Sequence, residues 1–225
     1  MTRILAPLII GLTGTAILVW LGVWQIERLA WKEAVLAEIE ATIDGPPQPL
    51  PASATPGEGR YMPVALRGVL EEGALFVLVS VKRRGAGWRV ISAFETQDGR
   101  RVLVDRGFLP VAEKDAARFH GDATVMGNLH WPDDRNDSTP ENDVAANVWY
   151  ARDLGPMADA LGTEPVLIVA RGIDPDPGAV SPMPVDTSGI PNDHLEYAVT
   201  WFGLAAVWVL MTGLWVYARA NGKDA

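Results

Sequence analysis

The stretch Asn192-Asp193-His194-Leu195-Glu196-Tyr197-Ala198-Val199-Thr200-Trp201-Phe202, running on to Tyr217, decides how this chain of 225 residues is read. From Tyr197 to Ala218 there are 22 residues without a charge, bounded by Glu196 and Arg219. At about 1.5 Å of rise per residue, such a run crosses the roughly 30 Å core of a bilayer as a helix. The expected span is residues 194–218. His194, Tyr197, Trp201, Leu204, Trp208, Met211 and Trp215 recur at alternating steps of three and four, so they form one stripe along the helix. That stripe is aromatic, and it begins with a histidine.

The other end of the chain mirrors this one. Ile4 to Ile26 is 23 residues without a charge. A cleaved secretory signal has a shorter apolar run and a small-residue cleavage site, whereas Trp20, Trp24 and Gln25 lead straight into a charged segment. Residues 4–26 therefore read as an uncleaved span, with no Arg- and Ser-rich leader before it in the chain as given. The segment 27–43, rich in Ala, Glu and Leu and free of breakers, continues the helix past the bilayer. Gly11, Gly14 and Gly22, with Thr13 and Thr15, are small residues that let a second helix come close. Trp24, Arg28 and Trp31 fall on one side at i, i+4 and i+7, where tryptophans anchor at an interface and arginines snorkel.

Charge orients the two spans. The tails carry Arg3, Arg219 and Lys223 against Asp224, while residues 27–193 hold 16 basic and 26 acidic residues. Basic tails stay in the cytoplasm, which puts both termini inside and the middle outside. In a bacterium the middle is then periplasmic and the bilayer is the inner membrane. An acidic domain of this kind is not a nucleic-acid binder. The chain has no cysteine, which removes thiolate nucleophiles, iron–sulfur clusters and Cys-based zinc sites.

Two Pro- and Gly-rich segments, 44–60 and 174–191, read as semi-extended tethers around a soluble domain at 61–173. Within it, Tyr61–Leu70 and Ala74–Lys82 are β-branched-rich runs about Glu71-Glu72-Gly73, which reads as a hairpin turn. Trp88–Glu95 and Arg101–Leu109 flank Thr96-Gln97-Asp98-Gly99, a second hairpin. Ala112–Phe119 reads as a short helix, Ala123–Trp131 as a strand and Val148–Tyr150 as a short one. Asp153–Leu161 reads as a helix capped by Asp153 and stopped by Gly162, and Pro165–Ile173 as the last strand. The fold class is thus an α+β membrane protein: two transmembrane helices flanking an antiparallel β-rich domain, closed as a barrel or folded as a sandwich.

Chemistry is sparse in that domain. His120 and His130 stand alone, and no metal-hydrolase or serine-hydrolase spacing occurs. His194 differs by its place, in the first turn of a span at the membrane edge, after the capping candidates Asn192 and Asp193. Histidine ligates haem iron, and Tyr197 and Trp201 below it form a flat apolar wall that suits a porphyrin. Arg28, at similar depth on the first span, can pair a propionate. The alternative is that His194 only caps a helix start, bonding Glu196 or solvent, with Trp24 and Arg28 as interfacial anchors.

These same residues carry a resemblance. Leu21-Gly22-Val23-Trp24-Gln25-Ile26-Glu27-Arg28-Leu29-Ala30-Trp31-Lys32 resembles the opening signature of the surfeit locus family of cytochrome oxidase assembly proteins. Asn192–Phe202 resembles its closing signature, and Val102-Leu103-Val104-Asp105-Arg106-Gly107-Phe108-Leu109-Pro110 its central strand motif. Asn142-Asp143 and Trp149-Tyr150 also fall where that family has such residues. The chain departs from it where Asp193 stands for a usual asparagine, and where Asp105 and Phe108 stand for asparagine and tryptophan. The resemblance implies a non-enzymatic assembly factor for haem-copper oxidases. Such a protein holds haem a between the two spans through His194, with Arg28, Tyr197, Trp201 and Trp24 as contacts, and receives it from a haem a synthase. It then yields the haem to the catalytic subunit of the oxidase. A scaffold that steadies an immature oxidase subunit without touching haem is the alternative, and a periplasmic sensor is a third.

Overall fold

Helix α1 (Thr2–Ile43) runs unbroken for 42 residues, because its one proline, Pro7, sits within its opening turns and the charged half that follows Ile26 is rich in Ala, Glu and Leu. The computed structural model describes residues 2–222, with side chains from Ile4 onward. Of the tail charges on which the expected orientation rests, Arg3, Lys223 and Asp224 lie outside the described side chains. A second long helix, α4 (His194–Ala220), begins after Asp193, and both helices are long and apolar enough to cross a membrane. The chain divides into two units, one drawing on residues up to Glu38 and from Thr187, the other formed by Ile39–Asp186.

In the first unit α1 and α4 pack directly and antiparallel. A side-chain carbon added at Gly11 would overlap Thr212, one at Gly14 would overlap Trp208, and one at Gly22 would overlap Phe202. The glycines are there to allow this approach. The indole Nε1 of Trp208 donates to the Gly11 carbonyl at 3.0 Å, and the Thr15 hydroxyl donates to the same oxygen at 2.8 Å. The buried positions of α4 are Ala198 and Ala205, whereas Tyr197, Leu204 and Met211 are exposed. The aromatic stripe thus straddles the edge of the packing face: His194 and Trp208 touch α1, while Tyr197, Leu204 and Met211 turn away from it. Small residues set the closest approach between helices, so the seam runs one position further on, through Ala198 and Ala205 to Thr212.

The second unit is a closed five-stranded barrel in the order β1-β2-β3-β5-β4, with β4 returning to β1. Its strands are β1 (Pro63–Val81), β2 (Gly85–Thr96), β3 (Arg101–Pro110), β4 (Gly121–His130) and β5 (Leu167–Asp174). All neighbours are antiparallel except β3 and β5, which pair parallel through Leu103↔Leu167, Val104↔Ile168 and Asp105↔Val169. The sheet is therefore mixed rather than antiparallel. Strand β4 leaves β3, passes β5's far side and forces the returning β5 to lie alongside β3 in the same sense.

Other local expectations also give way. Glu71-Glu72-Gly73 is a bulge inside one 19-residue strand and not a turn. Leu70 pairs with Phe94 and Ala74 with Ser92, so two extra residues are accommodated and the in-out alternation survives. The first half of β1 pairs β4 and the second half pairs β2, which lets one strand coil around the barrel. The expected helix at Ala112–Phe119 is only a 3-10 turn at Val111–Glu113, followed by irregular chain. There Lys114 and Arg118 lie over the rings of Phe76 and Trp88, which overrides a modest helical preference. The expected strand at Val148–Tyr150 reduces to isolated bridges.

The segments read as tethers are partly structured. Residues Pro56–Gly59 form a single helical turn, α2, with proline at its start, and Gln48 bridges to Val64. Further on, Ser181 exchanges both backbone hydrogen bonds with Phe108, and Val180 is buried beside Trp88 and Leu109. Gly107, at φ 113°, has Ser181 against its α-carbon, so only glycine fits.

The barrel interior is filled by Val64, Leu66, Leu70, Phe94, Val102, Val104, Val125 and Ile168. A second core covers the outer face, where helix α3 (Leu154–Leu161) brings Met157 and Ala158 onto Ile91, Leu103 and Leu167, with Trp149 fully buried among them. Gly162 closes α3 in the left-handed conformation, its N–H donating to the Ala158 carbonyl. Asp153 precedes α3 without capping it, because its carboxylate accepts from Arg135 and Asn142, both at 2.6 Å.

Candidate functional site

The site is built on the paired helices. His194 opens α4 and stands half-buried on the side facing α1, one turn before Ala198. Its Nδ1 lies 2.8 Å from Oε1 of Gln25, which is 8% exposed. A carbonyl oxygen only accepts, so Nδ1 is the donor and carries the ring proton. Nε2 then keeps its lone pair, and it makes no hydrogen bond to any described residue. Neither Glu196 nor Asp193 bonds the ring; Asp193 is the residue before the helix, and its side chain does not cap it.

The other sequence-derived residues divide. Trp201 is half-buried on the same flank of α4 as His194. Tyr197 and Trp24 are exposed, at 55% and 46%. Arg28 is exposed, three residues past Gln25, with its guanidinium 3.8 Å above the Trp31 ring. Among the described residues no carboxylate pairs with it, which leaves its donors available to an anionic group. A group lying between the spans does not fit, because Gly22, Gly14 and Gly11 bring α4 side chains into contact with α1 below His194. Sequence reasoning missed Gln25, although it is the one amide in the charge-free run Ile4–Ile26. A polar side chain in a span is a functional candidate by default, and this was the available signal.

In the barrel Asp105 of the central motif, and Asn142 and Trp149 beyond it, serve structure. Asp105 is fully buried and paired with Arg89, with Arg152 at 3.5 Å, and its Oδ1 accepts from the Gly107 N–H at 3.0 Å. Arg152 in turn grips Asp134 through two bonds of 2.6 and 2.9 Å. Burial alone would raise the Asp134 carboxyl, but Arg152 holds it below its ordinary value. The His130 imidazole, stacked on Tyr61, is pushed down to about 4, first by burial and then by Arg152 and Arg60. Asn142 accepts from the Tyr150 N–H and donates to Asp153, tying the loop after β4 to the barrel. Among the described residues no three His, Asp or Glu side chains gather as a metal site.

A family profile described as the SURF1 family matches residues 12–206. Surfeit locus protein 1 of Xenopus tropicalis is 32% identical over 221 residues, covering 87% of this chain and 70% of that protein. Surfeit locus protein 1 of Homo sapiens is 32% identical over 210 residues, covering 83% and 69%. A SURF1-like protein of Rickettsia felis is 30% identical over 220 residues, covering 91% and 93%.

Proposed function

The chain belongs to the SURF1 family, and from that premise we propose that it assists assembly of a haem-copper oxidase by carrying haem a on His194. The observation that supports this reading best is the bond between His194 Nδ1 and Gln25, which leaves Nε2 as the lone-pair nitrogen. Haem a is cargo: iron takes one imidazole, and a single neutral ligand with a neutral second partner keeps the bond exchangeable. Gln25 orients the ring and fixes its tautomer. Trp201 and Tyr197 offer apolar surface to the macrocycle, Trp24 flanks it, and Arg28 pairs a propionate. The haem a comes from a membrane synthase and passes to the catalytic subunit of the oxidase.

In this reading α1 and α4 cross the inner membrane with both termini in the cytoplasm, and the barrel faces the periplasm. The role is transfer, not turnover, and no residue is assigned to bond-making. The deciding experiment is co-expression with haem a synthesis, purification in mild detergent, and quantification of haem by extraction and optical spectrum. Wild type should carry near-stoichiometric haem a and His194→Ala should lose it; a haem-free wild type, or an unchanged variant, rejects the carrier. The close Gly11–Thr212 and Gly14–Trp208 contacts favour one other reading, a rigid scaffold for an immature subunit. That reading expects His194→Ala to support oxidase assembly normally while bulky residues at Gly11 or Gly14 abolish it.

A further inference from the structure

Arg106 is the unusual residue of the barrel. It lies in β3 between Asp105 and Gly107, at the point where the β2–β3 register slips between Val90 and Ile91. Alternation along β3 puts Leu103 and Asp105 on the outer face and Val102 and Val104 on the interior face. Arg106 is the extra residue of the slip, and its charged neighbour is Arg118 rather than the outer-face Arg89 or Arg152, which puts its guanidinium on the interior side. The guanidinium is fully buried, and among the described residues none of its three nitrogens has a hydrogen-bond partner. Its neighbour Asp105 cannot serve it, being on the other face and committed to Arg89 and Arg152.

A buried guanidinium with five N–H donors and no acceptor is among the costliest arrangements a core can hold. Burial and the nearby Arg118 push it down to about 10, so it stays charged at neutral pH. The groups around it repeat the pattern. Ser92 Oγ and Trp88 Nε1 on the interior face of β2, and Arg118 Nε, are also buried without partners. The segment from Val111 to His120 crosses this end of the barrel, since it joins β3 to β4 with β5 between them. It sets Lys114 4.5 Å from the Trp88 ring and Arg118 5.0 Å from the Phe76 ring. No carboxylate among the described residues pairs with Arg106, Lys114 or Arg118. Three cations and two further buried polar groups thus gather toward one end of the barrel, and the acids of the crossing segment, Glu113 and Asp115, pair with none of the three.

We propose that this end of the barrel binds a small oxyanion, a phosphate or carboxylate, with Arg106 as its buried anchor and Lys114 and Arg118 as the groups that admit it. The planar guanidinium fork matches two oxygens of either anion, and Trp88 Nε1 and Ser92 Oγ supply neutral donors. Binding neutralises the interior charge and so stabilises the fold. This site is independent of the haem reading, and its test needs no haem.

The test uses the full chain in detergent, exchanged into chloride, and titrated with sodium phosphate or sodium acetate at constant ionic strength in the low-millimolar range. The unfolding temperature of the barrel is followed by circular dichroism. A saturable rise of roughly 4 °C at ten times the dissociation constant is expected. The rise should vanish in Arg106→Met and shrink in Lys114→Met. A rise with phosphate alone assigns a tetrahedral oxyanion, with acetate alone a carboxylate, and with both a site that reads charge more than shape. Should Arg106→Met fail to fold, the double variant Lys114→Met with Arg118→Met carries the comparison. The proposal is overturned if neither anion shifts wild type, or if that double variant keeps the full shift.

Discussion

The helix pair and the barrel handle polar groups in opposite ways. In the pair, the few polar side chains on the seam are uncharged and bond one another or a backbone carbonyl: Gln25 with His194, and Trp208 and Thr15 with the Gly11 oxygen. The barrel instead buries full charges, some neutralised in the chain Arg89–Asp105–Arg152–Asp134 and one, Arg106, left without a partner. Between two apolar helices, a neutral pair presents a single free nitrogen at lower cost than an ion would. A barrel of five strands can hold ions, because the sheet ladder satisfies its own backbone and leaves side-chain charges to set stability.

That contrast is broken most sharply at Asp105. Arg89→Met leaves a fully buried carboxylate with Arg152 alone, and should cost about 3 kcal/mol in chemical denaturation of the barrel, with the helices intact. In the helix pair the corresponding lesion is steric. Gly14→Leu forces the indole of Trp208 off α1 and should cost about 2 kcal/mol, read as loss of helix pairing in detergent while the barrel's unfolding midpoint is unchanged.

Acidification should separate the two units. The His130 value lies below its unfolded value, so folding favours the neutral ring. That contribution is fully present above about 6.5 and is lost as pH falls toward about 4. By pH 5 the barrel should have lost about 2 kcal/mol, and His130→Gln should flatten this slope. A profile unchanged by the substitution would assign the acid sensitivity elsewhere.

The smallest effect tests the neutral contact. Gln25→Leu removes the acceptor for Nδ1 but keeps the helix pair, and haem a affinity should fall by about tenfold. Gln25→Glu should restore retention, tighten it, and lower the reduction potential of the bound haem, since a carboxylate pushes more charge onto the ring. Equal behaviour of the two variants would mean that Gln25 only packs.

The same contrast explains what could be read from the residues alone. The two long helices were legible because a run of apolar residues is a local property, and the Asp98-Gly99 turn between β2 and β3 was legible for the same reason. The parallel pairing of β3 with β5 was not, since it joins residues such as Val104 and Ile168 that are distant in sequence and is set by where β4 lies. Glu71-Glu72-Gly73 misled because a bulge and a turn draw on the same polar and glycine residues. In the helix pair, His194 was visible, but its partner was not: Gln25 acquires its role only when α1 and α4 align antiparallel. The aromatic stripe of α4 drew attention from Ala198 and Ala205, whose small size is what lets the helices meet.

Closure of the barrel also governs how this domain can meet another protein. Each strand has a neighbour on either side, but not along its whole length: β4 lines β1 only from Pro63 to Leu70, and β5 lines β3 only from Leu103 to Asp105. Loops already occupy part of what is left, Trp149 bridging Val77 and Ser181 bridging Phe108. An extended peptide that lengthened the sheet would have to compete with those loops, so recognition falls mainly to side chains and connecting segments, and it can change by substitution there without disturbing the fold that carries it.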